Sequence, residues 1–322
     1  MFVKLIKNCI LTNNFIFIVV SNIYAKIKIG ASANVKIKQD KIEITSKNNK
    51  YILPINKNAY TFEVLKDFSF YINAVEPEII ENNNIFDFSI IKKHKLKYEN
   101  KSFYYYLLPE IPETDNIYLA YLNLHKNDVV LDIGSFSGHT AYKFSEAIGN
   151  DGLVISIEPD PTIFELLQKN IKNLGLSNIK TINKALWKKS TTLEFLSEGS
   201  MCSTLNILNN LTRKHQNILK IQTTTLEEIV QDYNLNKIDA IKIDIEGAEY
   251  DVFANISPFL EKYKPLKFII EIHPNANGKT DVNYFKRILN SHNYKCQMIK
   301  ITDNSHCPML FAKLSNQNTK NY

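Results

Sequence analysis

The stretch DVVLDIGSFSGHTAYKF, residues 128–144, places two of the chain's nine glycines, Gly134 and Gly138, within five positions. An apolar run, VVLDI, leads into them, and TAYKFSEAIG follows as a helical segment closed by Gly149. Strand, small-residue turn and helix in that order form the first unit of an open parallel α/β sheet. Ligands of such sheets bind beyond the carboxyl ends of the strands, where strand order reverses, so the turn DIGSFSGHT lines a predicted crevice. A phosphate fits that turn poorly. A dinucleotide site reads G-x-G-x-x-G, whose second glycine lets a pyrophosphate approach the backbone, and this chain has Phe136 there. No Lys or Arg occurs from Leu131 through Tyr142, and Asp132 adds a negative charge at the strand's end.

The same alternation continues downstream. LVISIEP (153–159) reads as a strand, and PTIFELLQKNIKNLGL as a helix with Ile163, Leu166, Leu167, Ile171 and Leu174 on one face. KTINKAL (180–186) and TTLEFLS (191–197) read as strands, and TTLEEIVQDY (224–233) as a helix with a Thr-x-x-Glu cap. DAIKIDI (239–245), the helix AEYDVFANISPFLEKY, KFIIEIH (267–273), the helix VNYFKRILNSHNY, and a closing pair KCQMIKI and MLFAKL complete the run. Strands alternating with helices of this length predict a sheet covered on both faces. The first hundred residues differ: they contain one glycine, Gly30, and KIEITSKNNKYILPI (41–55) reads as a hairpin. The expected division is a small β-rich N-terminal region over 1–104, an α/β domain over 105–313 and a frayed tail over 314–322.

A second carboxylate, Glu158, ends the second strand of the domain in ISIEPD, where it can accept both hydroxyls of a ribose. Asp132 and Glu158 together suit a nucleoside with a cationic or zwitterionic tail and no phosphate, and S-adenosylmethionine meets that description. At this point the chain resembles the FkbM-like family of S-adenosylmethionine-dependent methyltransferases. The resemblance runs from about Val129 to His273 and rests on VLDIGSFSGHT, SIEPDP, NKALWKKSTTLEF, TTTLEEI, DAIKIDIEGAEYDVF and FIIEIHP. It implies a seven-stranded Rossmann-like methyltransferase sheet. It also implies a cofactor cradle of Gly134, Ser135, Phe136 and Gly138, with Asp132 near the methionine amino group, Glu158 on the ribose, and Asn183 and Ala185 bordering the adenine. Phe136 stands where the family often has Asn, and Ser137 and His139 also depart from its pattern.

Chemistry is expected at the ends of the fourth and fifth strands. Asp244 and Glu246 are two apart in KIDIEG, and Glu271 and His273 two apart in IIEIHP. Methyl transfer to a hydroxyl needs alignment and removal of the acceptor's proton, so a base with pKa near the working pH is required. Either His273 or a Glu raised by its neighbours meets that need. Glu246 and His273 are therefore assigned to the acceptor side, with Asp244 positioning cofactor or acceptor. The competing reading makes Asp244 or Glu246 a cap of the following helix, since carboxylates favour helix N-termini. Glu249, inside that helix, reads as structural. A divalent ion on Asp244, Glu246, Glu271 and His273 is not expected, because no ligand spacing enforces it.

The family resemblance points to O-methylation of a hydroxyl on a saccharide, glycolipid or secondary metabolite, with a small-molecule or glycan acceptor. The alternatives are a Rossmann-type nucleotide-dependent oxidoreductase or epimerase, and an inactive methyltransferase-fold binding module. Composition narrows the rest. The net charge of +6 lies wholly in residues 1–100, which hold 15 Lys against 9 Asp and Glu, so the catalytic region is neutral and nucleic acid is not an expected partner. That basic excess would suit an acidic glycan or partner. The four cysteines show no CxxC spacing, which fits a reducing, cytoplasmic setting better than a zinc or disulfide framework. FIFIVV (15–20) is too short an apolar core for a spanning segment, so a buried β-strand is expected there rather than a signal or anchor, with no stable membrane insertion.

Overall fold

A computed structural model describes residues 13–54, 58–107, 109, 112–197, 204–205, 217–275, 277–299 and 307–315. The chain divides into two compact units, Met1–Glu110 and Ile111–Tyr322.

The first unit contains α1 (Asn14–Lys28), β1 (Asn34–Lys38), β2 (Lys41–Ser46), β3 (Asn49–Pro54), α2 (Asn58–Lys66), α3 (Phe68–Ala74), β4 (Glu78–Ile80), β5 (Asn83–Asp87), β6 (Lys92–Leu96) and β7 (Lys101–Tyr105). A five-stranded sheet in the order β1-β2-β3-β5-β4 accompanies a β6–β7 hairpin. The hairpin expected over 41–55 is β2–β3, with Ile42 opposite Leu53 and Ile44 opposite Tyr51, all four buried. The strand expected at FIFIVV is instead the start of α1. Asn13 caps it, its Oδ1 accepting from the amides of Phe15 and Ile16. Phe17, Ser21 and Ala25, four apart, form its buried edge. A continuous apolar run of six residues imitated a buried strand; packing of a longer helical face overrode β-branched propensity. The short helices α2 and α3 were also not foreseen in a region that read as strands.

The second unit runs α4 (Pro112–Leu122), β8 (Val129–Ile133), α5 (His139–Ile148), β9 (Leu153–Ile157), α6 (Pro161–Leu174), β10 (Ile179–Ile182), β11 (Ala185–Leu186), β12 (Thr192–Ser197), β13 (Thr204–Leu205) and β14 (Asn217–Thr224). It continues with α7 (Leu226–Asp232), β15 (Ala240–Ile243), α8 (Glu249–Phe253), α9 (Ser257–Tyr263), β16 (Lys267–Glu271), α10 (Val282–Ser291), β17 (Tyr294–Ile299) and β18 (Met309–Leu314). Seven strands form one sheet in the order β10-β9-β8-β15-β16-β18-β17, parallel except for β18, which runs antiparallel to both its neighbours. Strand order reverses between β8 and β15, which places the predicted crevice at their carboxyl ends.

Residue parity sorts this sheet cleanly. Leu131, Ile133, Ile155, Ile157, Ile241, Ile243, Phe268 and Ile270 enter one core with α7 to α10. Val130, Val154, Ala240 and Ile269 face the other, with Tyr118 and Leu122 of α4 and Phe144 of α5. Asp132 and Lys242 share the parity of Val130 and Ala240 and sit opposite one another in the register. They continue the second core upward as its polar end.

Four local readings change. KTINKAL is two strands in different sheets, because Asn183 at the corner donates its amide to the carbonyls of Glu158 and Pro159. The single helix over AEYDVFANISPFLEKY is broken into α8 and α9. Pro258 has no amide to bond back to Ala254, and it serves the start of the second helix instead. β14, unforeseen, pairs antiparallel with β12 and parallel with β11. Leu314 and Ser315, read as tail, are held by hydrogen bonds to Leu266 and Asn293, and the remainder of the tail lies outside the described residues.

Candidate functional site

Two glycines framed the crevice, and the protein itself fills the space beside both. A Cβ on Gly134 would lie 1.8 Å from the carbonyl oxygen of Asp244, and φ there is +81°. A Cβ on Gly138 would lie 2.5 Å from Cδ1 of Leu167, at φ +86°. Gly134 thus lets the ends of β8 and β15 touch, and Gly138 lets α5 start against α6. Between them Ser135 is buried, donating from Oγ to the Asp132 carbonyl and accepting from the Ile157 amide. Phe136, at φ +45°, donates its amide to Oε2 of Glu158.

Glu158 is therefore fixed from two sides, since its Oε1 accepts the Asp160 amide at 2.9 Å. Burial pushes its carboxyl up to about 8, against the lowering effect of those two amides. Asp132 is fully buried, and neither of its carboxylate oxygens has a hydrogen-bond partner. Burial raises its pKa too, and the nearby Lys242 opposes the rise. Asn183 forms the corner after β10, and Ala185 is buried with Trp187 and Phe195 beneath it.

Lys242 was not foreseen, although a lysine inside the apolar run DAIKIDI was the available signal. It is 2% exposed, a depth at which lysine requires partners. Its Nζ donates to the Gly134 carbonyl at 2.6 Å. It also lies 3.7 Å from Asp132 and 3.5 Å from Asp244. The Tyr118 ring lies 5.7 Å below the ammonium. One buried cation thus ties the glycine turn to carboxylates at the ends of two strands.

The residues expected on the acceptor side converge on His273. Its Nδ1 lies 3.0 Å from Oε1 of Glu249, which also accepts the Ile245 amide. Its Nε2 faces Glu246 at 3.6 Å, Asp244 at 3.8 Å and Glu271 at 3.9 Å. Burial alone would lower the imidazole's pKa, but contacts with Cys307 and Glu249 and the charges of Glu246 and Asp244 raise it overall, which favours the imidazolium form when no metal is bound. Burial pushes Glu246 up to about 8, with Asp244, Glu249 and Glu271 adding to the rise and His273 opposing it. Glu271 is raised to about 7 by burial and Asp244, and Tyr118 donates to it at 3.4 Å.

Glu246 stands at φ +54°, off the strand, yet its carboxylate joins Asp244 and His273 within 4.8 Å. The carboxylate that reaches back to a backbone amide at this turn is that of Glu249. A second grouping, Glu271, His273 and Cys307, has donor atoms equally close. With Nδ1 engaged by Glu249, Nε2 is the ring nitrogen that either grouping would use for a metal. His139, by contrast, is buried against Asp115 at 2.5 Å and belongs to the packing of α4 on α5.

A model of the methyltransferase FkbM domain matches residues 128–296, more than half of the chain. The chain is 41% identical over 61 residues to a protein-L-isoaspartate O-methyltransferase of Methanococcus aeolicus, covering 19% of this chain and 28% of that protein. It is 24% identical over 180 residues to the ubiquinone/menaquinone biosynthesis C-methyltransferase of Blochmanniella floridana, covering 50% and 69% of the two. The chain thus spans less than a third of the isoaspartate methyltransferase it matches. Among solved structures, a SAM-dependent O-methyltransferase from Thermotoga maritima aligns with a TM-score of 0.40 at 13% identity, over 87% of each chain. The chain belongs to the FkbM methyltransferase-domain family of S-adenosylmethionine-dependent methyltransferases.

Proposed function

We propose that the chain methylates a hydroxyl oxygen on an uncharged acceptor, a saccharide, glycolipid or secondary metabolite. The observation that carries this reading is the grouping of Asp244, Glu246 and Glu271 around Nε2 of His273 at 3.6–3.9 Å. Once Glu246 is ionised to act as base, Asp244, Glu246, Glu249 and Glu271 outnumber the cations Lys242 and His273, and an acceptor carrying carboxylate or phosphate would add a further anion, so a neutral one is favoured. A hydroxyl also needs what the cluster offers, a carboxylate whose pKa of about 8 lies near the working range of a general base.

S-adenosylmethionine, when bound, supplies an electrophilic methyl group. Asp132, Gly134, Ser135, Phe136, Gly138, Glu158, Asn183 and Ala185 are the residues that would hold it. Fit is supported by the buried Asp132, whose carboxylate has Lys242 at 3.7 Å but accepts no hydrogen bond, and by Glu158, which keeps lone pairs beyond the two used by backbone amides. Glu246 takes the acceptor's proton on its carboxylate. His273, held protonated, lowers Glu246 toward the working range and orients it, while Glu249 fixes the ring through Nδ1. Asp244, shared between Lys242 and His273, positions the acceptor or the cofactor.

The test is an acceptor screen with methyl-labelled S-adenosylmethionine, pairing neutral hydroxyl compounds with carboxylated and phosphorylated analogues. Transfer to the neutral member of each pair, lost in Glu246→Gln, supports the reading. Preferred transfer to a carboxylate, as the name of the isoaspartate relatives would suggest for them, overturns it.

A further inference from the structure

α1 buries one edge and leaves another, equally apolar, in water. On the inner edge Phe17 meets the ring of Phe62 edge-on at 5.9 Å, and Asn22 bonds both the amide and the carbonyl of Val35 on β1. On the outer edge Phe15, Val19, Ile23 and Ile27 follow at intervals of four and are 77%, 43%, 57% and 73% exposed. Four large apolar side chains in one helical row form a contiguous patch, unlike the scattered exposed residues of an ordinary surface. Residues four apart lie on one face, so the row is a continuous stripe along the helix.

The charge around the stripe identifies what covers it. α1 carries no acidic residue. Lys26 and Lys28 lie in the last turn of α1 itself. A second copy seated on this face would bring no carboxylate from α1 to these lysines. An anionic bilayer surface offers both a medium for the apolar row and counter-charge for the lysines. No described helix is long and apolar enough to cross a membrane, and at 15 residues α1 suits the interface plane rather than a span.

We propose that the outer face of α1 docks the protein on an anionic lipid surface, with Phe15, Val19, Ile23 and Ile27 entering the acyl boundary and Lys26 and Lys28 at the headgroups. The test is co-sedimentation of the full chain with vesicles of phosphatidylserine and phosphatidylcholine against vesicles of phosphatidylcholine alone. The expected result is binding to the anionic vesicles, weakened by salt and reduced about tenfold or more by the double variant Ile23→Ser, Ile27→Ser. Lys26→Gln, Lys28→Gln would weaken it separately. The stripe is exposed, so the serine variant should keep the fold, which an unchanged melting temperature verifies.

Three outcomes overturn the proposal: no binding by the full chain, binding indifferent to the serine variant, and a parent dimer that the serine variant converts to monomer without any vesicle binding. The last would assign the stripe to a second copy instead.

Discussion

The two halves of the site are held by different physics. On the cofactor side the polar groups are pinned by hydrogen bonds: Glu158 takes two backbone amides, Ser135 bridges β8 and β9, and the Gly134 carbonyl receives Lys242. On the proposed acceptor side Glu249 holds His273 through Nδ1, but Nε2 faces three carboxylates at 3.6–3.9 Å, beyond hydrogen-bond distance, so the contacts of Nε2 rest on charge. A pinned half is preformed and fails by steric change. A charge-held half tolerates shape change and responds to pH.

The largest effect is expected at Gly134→Ala. The new Cβ would overlap the Asp244 carbonyl, and backbone cannot give way as a side-chain tip would. We expect a loss of at least about 3 kcal/mol and a fall in Tm of roughly 6–12 °C, with cofactor binding abolished. Calorimetric melting and titration with S-adenosylmethionine measure both. A variant that melts and binds like the parent would mean that β8 and β15 are not packed as described.

Next come the charges. Glu246→Gln should lower kcat by about 10²–10⁴ while leaving cofactor affinity within a factor of a few. In the parent, activity should rise with pH as Glu246 and Glu271 lose their protons, across about 7 to 8, the two titrating as a coupled set. His273→Gln removes the charge that lowers Glu246, so the rising limb should move to higher pH. A limb that stays in place would remove His273 from the tuning of the base. Stability should show the opposite slope. A carboxyl raised from 4.5 to about 8 on folding makes the folded state bind more protons between those values. Stability therefore falls as pH rises through that window, and Glu246→Gln should flatten the fall.

On the pinned side a smaller pH effect is expected, in binding rather than turnover. Glu158 sits at about 8 without ligand, and hydroxyls donating to it would favour its ionised form. Affinity for S-adenosylmethionine should therefore improve with rising pH up to about 8, with a proton released on binding below that. Calorimetry in buffers of different ionisation enthalpy reads the proton directly. Glu158→Ala should bind more weakly and lose the pH dependence, whereas a pH dependence that survives belongs to another group, with Asp132 the first to examine.

The sequence made the pinned half easy to read and the charge-held half hard. Strand, glycine turn and helix are local patterns, and Asp132 and Glu158 occupy fixed places in them. The partners of His273 come from the ends of β15 and β16 and from α8, and no spacing announces that Glu249 would reach Nδ1. Lys242 was visible as a charge inside a buried run but was read as part of the strand. The two departures in the helices have different causes: the six-residue run at the start of α1 is shorter than the packing that decides it, whereas the α8–α9 break lies at Pro258, a residue already visible in the sequence. The meaning of Gly134 also shifted: the crowding atom belongs to Asp244, a residue 110 positions downstream, and only the folded sheet shows it.

The smallest effect should come from another glycine in the same domain. Gly175 follows α6 at φ +67°, with nothing within 4 Å of where a Cβ would stand. Gly134 and Gly175 therefore share a left-handed backbone but differ in what surrounds it. Gly175→Ala should cost only the conformational strain, about 1 kcal/mol, or roughly 2–4 °C in Tm, with cofactor affinity and turnover unchanged. Subtracting this loss from that of Gly134→Ala isolates the price of close approach between β8 and β15. If the two losses are equal, the backbone angle alone explains both glycines, and contact with Asp244 contributes nothing to why residue 134 is glycine.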